Sequence, residues 1–317
     1  MDHGSRRAII AAFLANLGIA LSKFVAFALT GAASMLAEAI HSLADTGNQG
    51  LLMIGGKRSR RPADSVHPFG YGTLRYFWAF VVALVLFSVG GLFAIFEGIE
   101  KLLNPHKLED PRIAIAVLAI SMVLESFSLR TALGESREER RGKSIYQFVR
   151  RTKVPELAVV VLEDIGALVG LSFALVGITL ASVLDEPRWD AVGSLAIGIL
   201  LVVIAIVLAI EMASLLVGEA AAPEVVDKIR AVLGGHREVV RVIALRTQHV
   251  GPDDIMVNAK LEFDPTLSVA RLSAVVNELE IELRAAEPRA RTIFIEPDVY
   301  RPPDDADEVA PEEVPSA

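Results

Sequence analysis

Residues 190–217 read DAVGSLAIGILLVVIAIVLAIEMASLLV, with no charged residue between Asp190 and Glu211. The run exceeds the roughly 20 apolar residues that a helix needs to cross about 30 Å of hydrocarbon. Lipid offers the backbone no water, so such a stretch is stable only as a helix that satisfies its own amides and carbonyls. Working outward, five more apolar segments lie upstream, at about 8–30, 32–55, 77–99, 112–133 and 155–183. The composition agrees, with 53% hydrophobic residues and a mean hydropathy of +0.48. Arg6-Arg7 before the first run resembles a signal-peptide start, but the spans that follow at once make it the first membrane helix. The expected fold class is a membrane all-α bundle of six transmembrane helices.

The net charge of −8 does not indicate an acidic soluble protein. Much of the excess sits in residues 301–317, where Asp304, Asp305, Asp307, Glu308, Glu312 and Glu313 lie among prolines. That composition predicts a disordered acidic tail. The absence of cysteine excludes disulfides, thiolate metal sites and a cysteine nucleophile.

The connections are unequal in charge. Gly31-Ala32-Ala33 is a tight hairpin, and Asp185-Glu186-Pro187-Arg188 is a short turn. Lys57 to Arg75 and Arg137 to Lys153 are basic, the latter closed by Pro155 as a first helical residue. Lys and Arg near the span ends number 14 on one side and 4 on the other. The basic side is expected to be cytoplasmic, placing both termini inside.

After Ala222 the hydropathy falls. Pro223 to Leu233 reads as a short helix stopped by Gly234-Gly235, and Val239 to Val250 as a strand. Ile255, Val257, Ala259, Leu261 and Phe263 alternate with polar residues, the period of a half-buried strand. Ser268 to Glu287 has helical apolar spacing, and Arg291 to Val299 is a last strand. The order α-β-β-α-β predicts a small, ferredoxin-like α+β domain.

Ionisable groups inside a span cost several kcal/mol unless paired or facing a cavity, so each is a functional candidate. The second span carries Glu38, His41, Asp45 and Asn48 along one helical face. His41 and Asp45, four apart, can present an imidazole and a carboxylate to one ion, a pairing suited to a borderline divalent metal such as zinc. The alternative is a hydrogen-bonded polar seam, which needs no His–Asp pair. The fifth span carries Glu163 and Asp164, about 100° apart on a helix, so one can be a ligand and the other a partner or proton carrier. Glu125, with Ser128 and Arg130 nearby, is a candidate proton relay or ion-pair member. Lys23, eight residues from a helix end, can snorkel. Glu97, Glu100, Asp190 and Glu211 sit near span ends, where solvation is the simpler expectation.

The segment Ala37-Glu38-Ala39-Ile40-His41-Ser42-Leu43-Ala44-Asp45, then His67-Pro68-Phe69-Gly70-Tyr71-Gly72, resembles the cation diffusion facilitator family of metal/proton antiporters. Leu162-Glu163-Asp164 and Asp190-Ala191-Val192-Gly193-Ser194 look like that family too, and the resemblance covers residues 8 to 300. It implies a transport site with two residues four apart on the second span and two on the fifth. His41, Asp45 and Asp164 match, while the fourth position falls on Val160, which cannot bind metal. The fourth ligand stays open to Glu163, Asn48 or water. A loop site in many members has one Asp and two His; here Asp64 and His67 remain and Tyr71 stands for the second His. The C-terminal metal positions read Ile243, Lys260, Glu296 and Asp298, and Lys260 would repel a cation.

The resemblance implies a homodimer, alternating access and proton uptake in exchange for metal. The expected organisation is a six-span transport domain over 1–218, a cytoplasmic α+β domain over 219–300 and the tail over 301–317. The expected function is proton-coupled efflux of a divalent cation, zinc first, manganese (or cobalt or iron) as runner-up. The metal is held by His41, Asp45 and Asp164, with Glu163, Asn48, Glu38 and Glu125 as further metal or proton-relay candidates. A non-transporting membrane adaptor acting through the C-terminal domain is the rival. No enzyme activity, prosthetic group or nucleic-acid partner is expected. The expected location is a plasma (bacterial inner) membrane.

Overall fold

In the computed structural model the described residues are 3–106, 110–140, 142 and 144–302. Residues 303–317, which carry the acidic tail's charges, lie outside them, as do Lys107, Arg141 and Lys143. The chain separates into two compact units, Met1–Gly218 and Glu219–Ala317.

The first unit is all helical. Its long helices are α1 (His3–Thr30), α2 (Ala33–Arg58), α5 (Pro111–Glu135), α8 (Pro155–Val183) and α9 (Arg188–Val217). A sixth rod is composite: α3 (Leu74–Val85) runs through a π-helical stretch, Leu86–Leu92, into α4 (Phe93–Leu103). Short helices α6 (Arg137–Arg140) and α7 (Ile145–Arg151) occupy the basic connection, α7 opening on a Ser144/Gln147 capping box. Pro111 and Pro155 each begin a helix, where a preset φ fits and the missing N–H is no loss. Gly31 takes φ +62° at the α1–α2 turn, the left-handed ending that glycine adopts without strain.

Four rods, Leu74–Leu103, Pro111–Glu135, Pro155–Val183 and Arg188–Val217, are long and apolar enough to cross a membrane. In α1, Asn16–Thr30 is a shorter apolar stretch, and the sequence from Ala8 to Ala15 continues the same apolar run. The 26 residues of α2 reach about 39 Å, but its polar face lowers its hydropathy. The expected membrane all-α bundle is the observed fold, and the least apolar of its long helices is α2, which carries Glu38, His41, Asp45 and Asn48. Leu21, Val25, Ile120, Phe127, Val203 and Ile210 are large, apolar and exposed on the rods, as lipid-facing side chains are.

The second unit has α10 (Pro223–Gly235), β1 (Val239–Gly251), β2 (Asp254–Phe263), α11 (Val269–Ala286) and β3 (Ala290–Pro297). The sheet order is β1-β2-β3; β1 and β2 pair antiparallel across a tight turn, and β2 and β3 pair parallel across α11. Ile255, Val257, Ala259 and Leu261 turn inward against Ile229 and Leu233 of α10 and Val275, Leu279 and Leu283 of α11. The α-β-β-α-β order read from the sequence is the observed one.

Candidate ion-binding site in the helical bundle

The helical period of α2 puts Glu38, His41, Ser42, Asp45 and Asn48 on its inward side, and all but Asp45 are buried. Asp45 borders a small polar cavity of about 20 Å³, room for about one water. The same cavity is lined by Ser42 of α2, Glu125 and Ser128 of α5, and Val160, Glu163 and Asp164 of α8. His41 lies beside it, fully buried, with Nε2 3.5 Å from Asp45 Oδ2.

The two acids of α8 reach this cavity from different sides. Glu163 turns towards α2, where Asn48 Nδ2 donates to its Oε1 at 2.7 Å. Asp164 turns towards α5, where Ser128 Oγ donates to its Oδ2 at 3.1 Å. The 100° between neighbours on one helix therefore spreads two carboxylates around one space instead of removing one from it. Val160, at the position where the resemblance puts a fourth ligand, presents methyl groups to the same cavity.

Several polar atoms here are left without a partner. Both ring nitrogens of His41, Asp45 Oδ1 and Asn48 Oδ1 are buried and make no hydrogen bond. Leaving a buried polar group unpaired costs about 1–3 kcal/mol, so such a concentration marks a site shaped for something other than its own contacts. Four carboxylates around one space, with an imidazole beside them, are the kind of donors that a divalent cation takes.

Other candidates are placed differently. Glu38 does not border the cavity: its Oε2 is 3.0 Å from the ammonium of Lys23. Lys23 does not snorkel; it is fully buried and also donates to Ser42 Oγ at 2.7 Å. Asp190 is not a solvated span-end residue. It is buried at the N-terminus of α2, accepting from Ala33 N at 2.6 Å, from Ser34 N at 3.2 Å and from the Ser34 hydroxyl. Lys101 likewise reaches the Gly31 carbonyl at 2.6 Å, so an anion meets the positive end of α2 and a cation the negative end of α1. Neither clamp is visible in local spacing.

Asp64 and His67 do meet in the loop after α2, but the carboxylate is already engaged. Its Oδ1 accepts from the backbone of Val66 at 3.0 Å and His67 at 2.8 Å, and its Oδ2 from the Tyr71 hydroxyl at 2.6 Å. The Tyr71 hydroxyl and then the His67 amide hold the Asp64 carboxyl down at about 2, and the bond to Asp64 raises the Tyr71 phenol. In the second unit, Lys260 Nζ stands 3.0 Å from Asp298 Oδ2 and 3.4 Å from Glu296 Oε1, so its ammonium fills the place between two acids. His236, Glu238 and Glu278 bring donor atoms within 4.8 Å of one another. The Arg271 guanidinium already bonds both of those carboxylates, at 2.7 Å each.

These features define a helical membrane protein with an acid-lined polar cavity in its bundle and a separate small α+β unit. Residues 9–217 match the cation efflux transmembrane domain, and residues 221–300 the cation efflux protein cytoplasmic domain. The chain belongs to the cation diffusion facilitator family of metal-efflux membrane proteins. It is 33% identical over 244 residues to the proton-coupled zinc antiporter SLC30A9, mitochondrial, of Homo sapiens, covering 76% of this chain and 43% of that protein. It is 27% identical to metal tolerance protein C4 of Arabidopsis thaliana over 84% of this chain and 59% of that one. Magnetosome protein MamB of Paramagnetospirillum magneticum is 25% identical over 90% and 92%. The match thus spans less than two thirds of the length of the first two relatives.

Proposed function

We propose that this chain exports a divalent metal cation, zinc first, in exchange for protons, by alternating access across its helical unit. The cargo is held by His41, Asp45 and Asp164, and Glu163, steadied by Asn48, stands in for the ligand that Val160 cannot supply. The observation that carries this reading is the set of partnerless polar atoms on His41 and Asp45 beside a cavity lined by acids from α2, α5 and α8. Metal binding requires a neutral imidazole and ionised carboxylates, so protons and cargo compete for the same atoms, and proton entry favours release. The names of the SLC30A9 relatives, which specify proton coupling and zinc, support the same assignment.

The preponderance of lysine and arginine in the connections on one side supports both termini being cytoplasmic, in a plasma (bacterial inner) membrane, with export running outward. The family match of the second unit supports a homodimer. Manganese is the second reading, because with Val160 in the pocket, oxygen donors outnumber nitrogen.

The test is zinc and manganese flux into proteoliposomes of the purified chain under an imposed pH gradient. Asp45→Ala and Asp164→Ala should each abolish flux while leaving assembly intact, because each removes a charged ligand and little packing. Full flux in Asp45→Ala would mean that the ion binds elsewhere. Flux that is indifferent to the pH gradient would remove the proton coupling.

A further inference from the structure

Lys23 lies deep in α1 with its ammonium 3.0 Å from Glu38 Oε2 and 2.7 Å from Ser42 Oγ, and both residues of the ion pair are completely buried. A lysine at this depth needs a partner, and Glu38 supplies one. Pairing explains why the charge is tolerated but not why it stands where it does. Ser42, which accepts the second bond, borders the same cavity as Asp45, Glu163 and Asp164. The ammonium is therefore one hydroxyl away from the cargo pocket. The Glu38 carboxylate turns its other oxygen elsewhere, against α8, where a Cβ on Gly170 would lie 2.6 Å from Oε1. That oxygen has no hydrogen-bond partner. The pair is thus oriented, with its positive end towards the pocket.

We infer that Lys23 is a release residue, a resident positive charge that limits how tightly the acidic pocket holds its divalent cargo. The inference rests on the proposed function and adds to it the group that sets how long the cargo stays. Asp45, Glu125, Glu163 and Asp164 surround a space that fits one small guest. Four carboxylates in a medium of low dielectric would attract a divalent ion strongly enough to trap it. A fixed cation just outside the first ring of ligands weakens that hold without occupying a coordination place. Lys23 touches no cargo; it acts through the field it casts on the acids, and Glu38 positions it. A simple strap between α1 and α2 would need the same ion pair, but it would not need the ammonium to point at the pocket.

The two readings differ in the sign of an effect. Zinc affinity is measured calorimetrically on the full chain in detergent, and the zinc off-rate by rapid mixing with excess chelator. Lys23→Gln removes the positive charge, so zinc should bind about tenfold more tightly and leave correspondingly more slowly. Glu38→Gln leaves the ammonium uncompensated, so zinc should bind about tenfold more weakly. Lys23→Arg keeps the charge and should restore affinity to within a few-fold of wild type. Affinity moving in the same direction in Lys23→Gln and Glu38→Gln, or unchanged in both, overturns the inference. Should Lys23→Gln fail to fold, Glu38→Gln decides alone: affinity at or above wild type refutes it. A wild-type chain that binds no zinc brings down the proposed function, and this inference with it, whereas wild-type binding lost in Asp45→Ala leaves the function standing whatever Lys23 does.

Discussion

At the scale of single residues, the pocket's own helix face could be read directly, whereas its supports could not. His41 and Asp45 are four apart on α2, and the helical period alone puts them together. Lys23 meets Ser42 across 19 positions, and Asp190 meets Ser34 across 156, so no window of sequence contains either pair. Spacing from a helix end suggested snorkelling for the first and solvation for the second; tertiary packing buried both. Asp190 makes a sharp prediction. Its carboxylate accepts the first amides of α2, a capping role that usually contributes about 1–2 kcal/mol and more when buried. Asp190→Ala should lower the thermal midpoint of the purified chain in detergent, and Asp190→Asn should recover part of the loss because an amide oxygen can still accept. Equal midpoints for wild type and Asp190→Ala would show that the cap contributes nothing to stability.

At the scale of elements, apolar runs and initiating prolines announced the long helices because length, hydropathy and a missing N–H are local properties. The π-helical stretch Leu86–Leu92 was not legible in the same way, since it answers to a neighbour. Gly90 and Gly91 lie where this rod meets α9, and Gly198 of α9 faces them. A Cβ on Gly198 would stand 2.7 Å from the Ile95 backbone nitrogen and 2.9 Å from the Gly91 carbonyl oxygen. Both obstacles are backbone, so the rods would have to separate. π-bulges commonly mark strained or functional points of a helix, and here the widened turn adjoins a close approach of two backbones. Gly198→Ala should therefore destabilise the bundle by about 1–3 kcal/mol, as overpacking usually does. Gly47→Ala is the matched control: nothing lies within 4 Å of its added Cβ, and it should be neutral or slightly stabilising. Thermal midpoints of the two variants side by side decide the matter, and indistinguishable values would contradict the close-packing account.

At the scale of the molecule, the second unit has its own core and its own electrostatics, and both argue that it folds without metal. The alternation along β2 revealed the core in the sequence, and Lys260 gave warning that a cation site had changed. What the sequence could not give was the destination of the lysine: its ammonium joins Glu296, its register partner across β2 and β3, and Asp298, which follows the end of β3. The bond to Asp298 raises Lys260 and lowers Asp298, so at neutral pH the lysine is a fixed cation between these two acids. Arg271 plays a parallel part between Glu238 and Glu278, holding both carboxyls below their ordinary values. Residues 222–317 alone should thus fold in the presence of a chelator and bind zinc weakly, because Arg271 already pairs with Glu238 and Glu278, and His236 Nδ1 accepts from the Glu238 amide. The pH dependence has a definite sign. Carboxyls depressed in the folded state stabilise it above their unfolded values, and that contribution is lost as the pH falls below about 4.5 through the lower folded values. Melting temperature should accordingly be level near neutrality and fall in acid, and Arg271→Gln should flatten the acid limb as well as lower the plateau. Calorimetry provides the opposing outcome: two tight zinc equivalents per chain, or a domain that melts only after chelation, would mean that metal, not Lys260 and Arg271, holds these acids together.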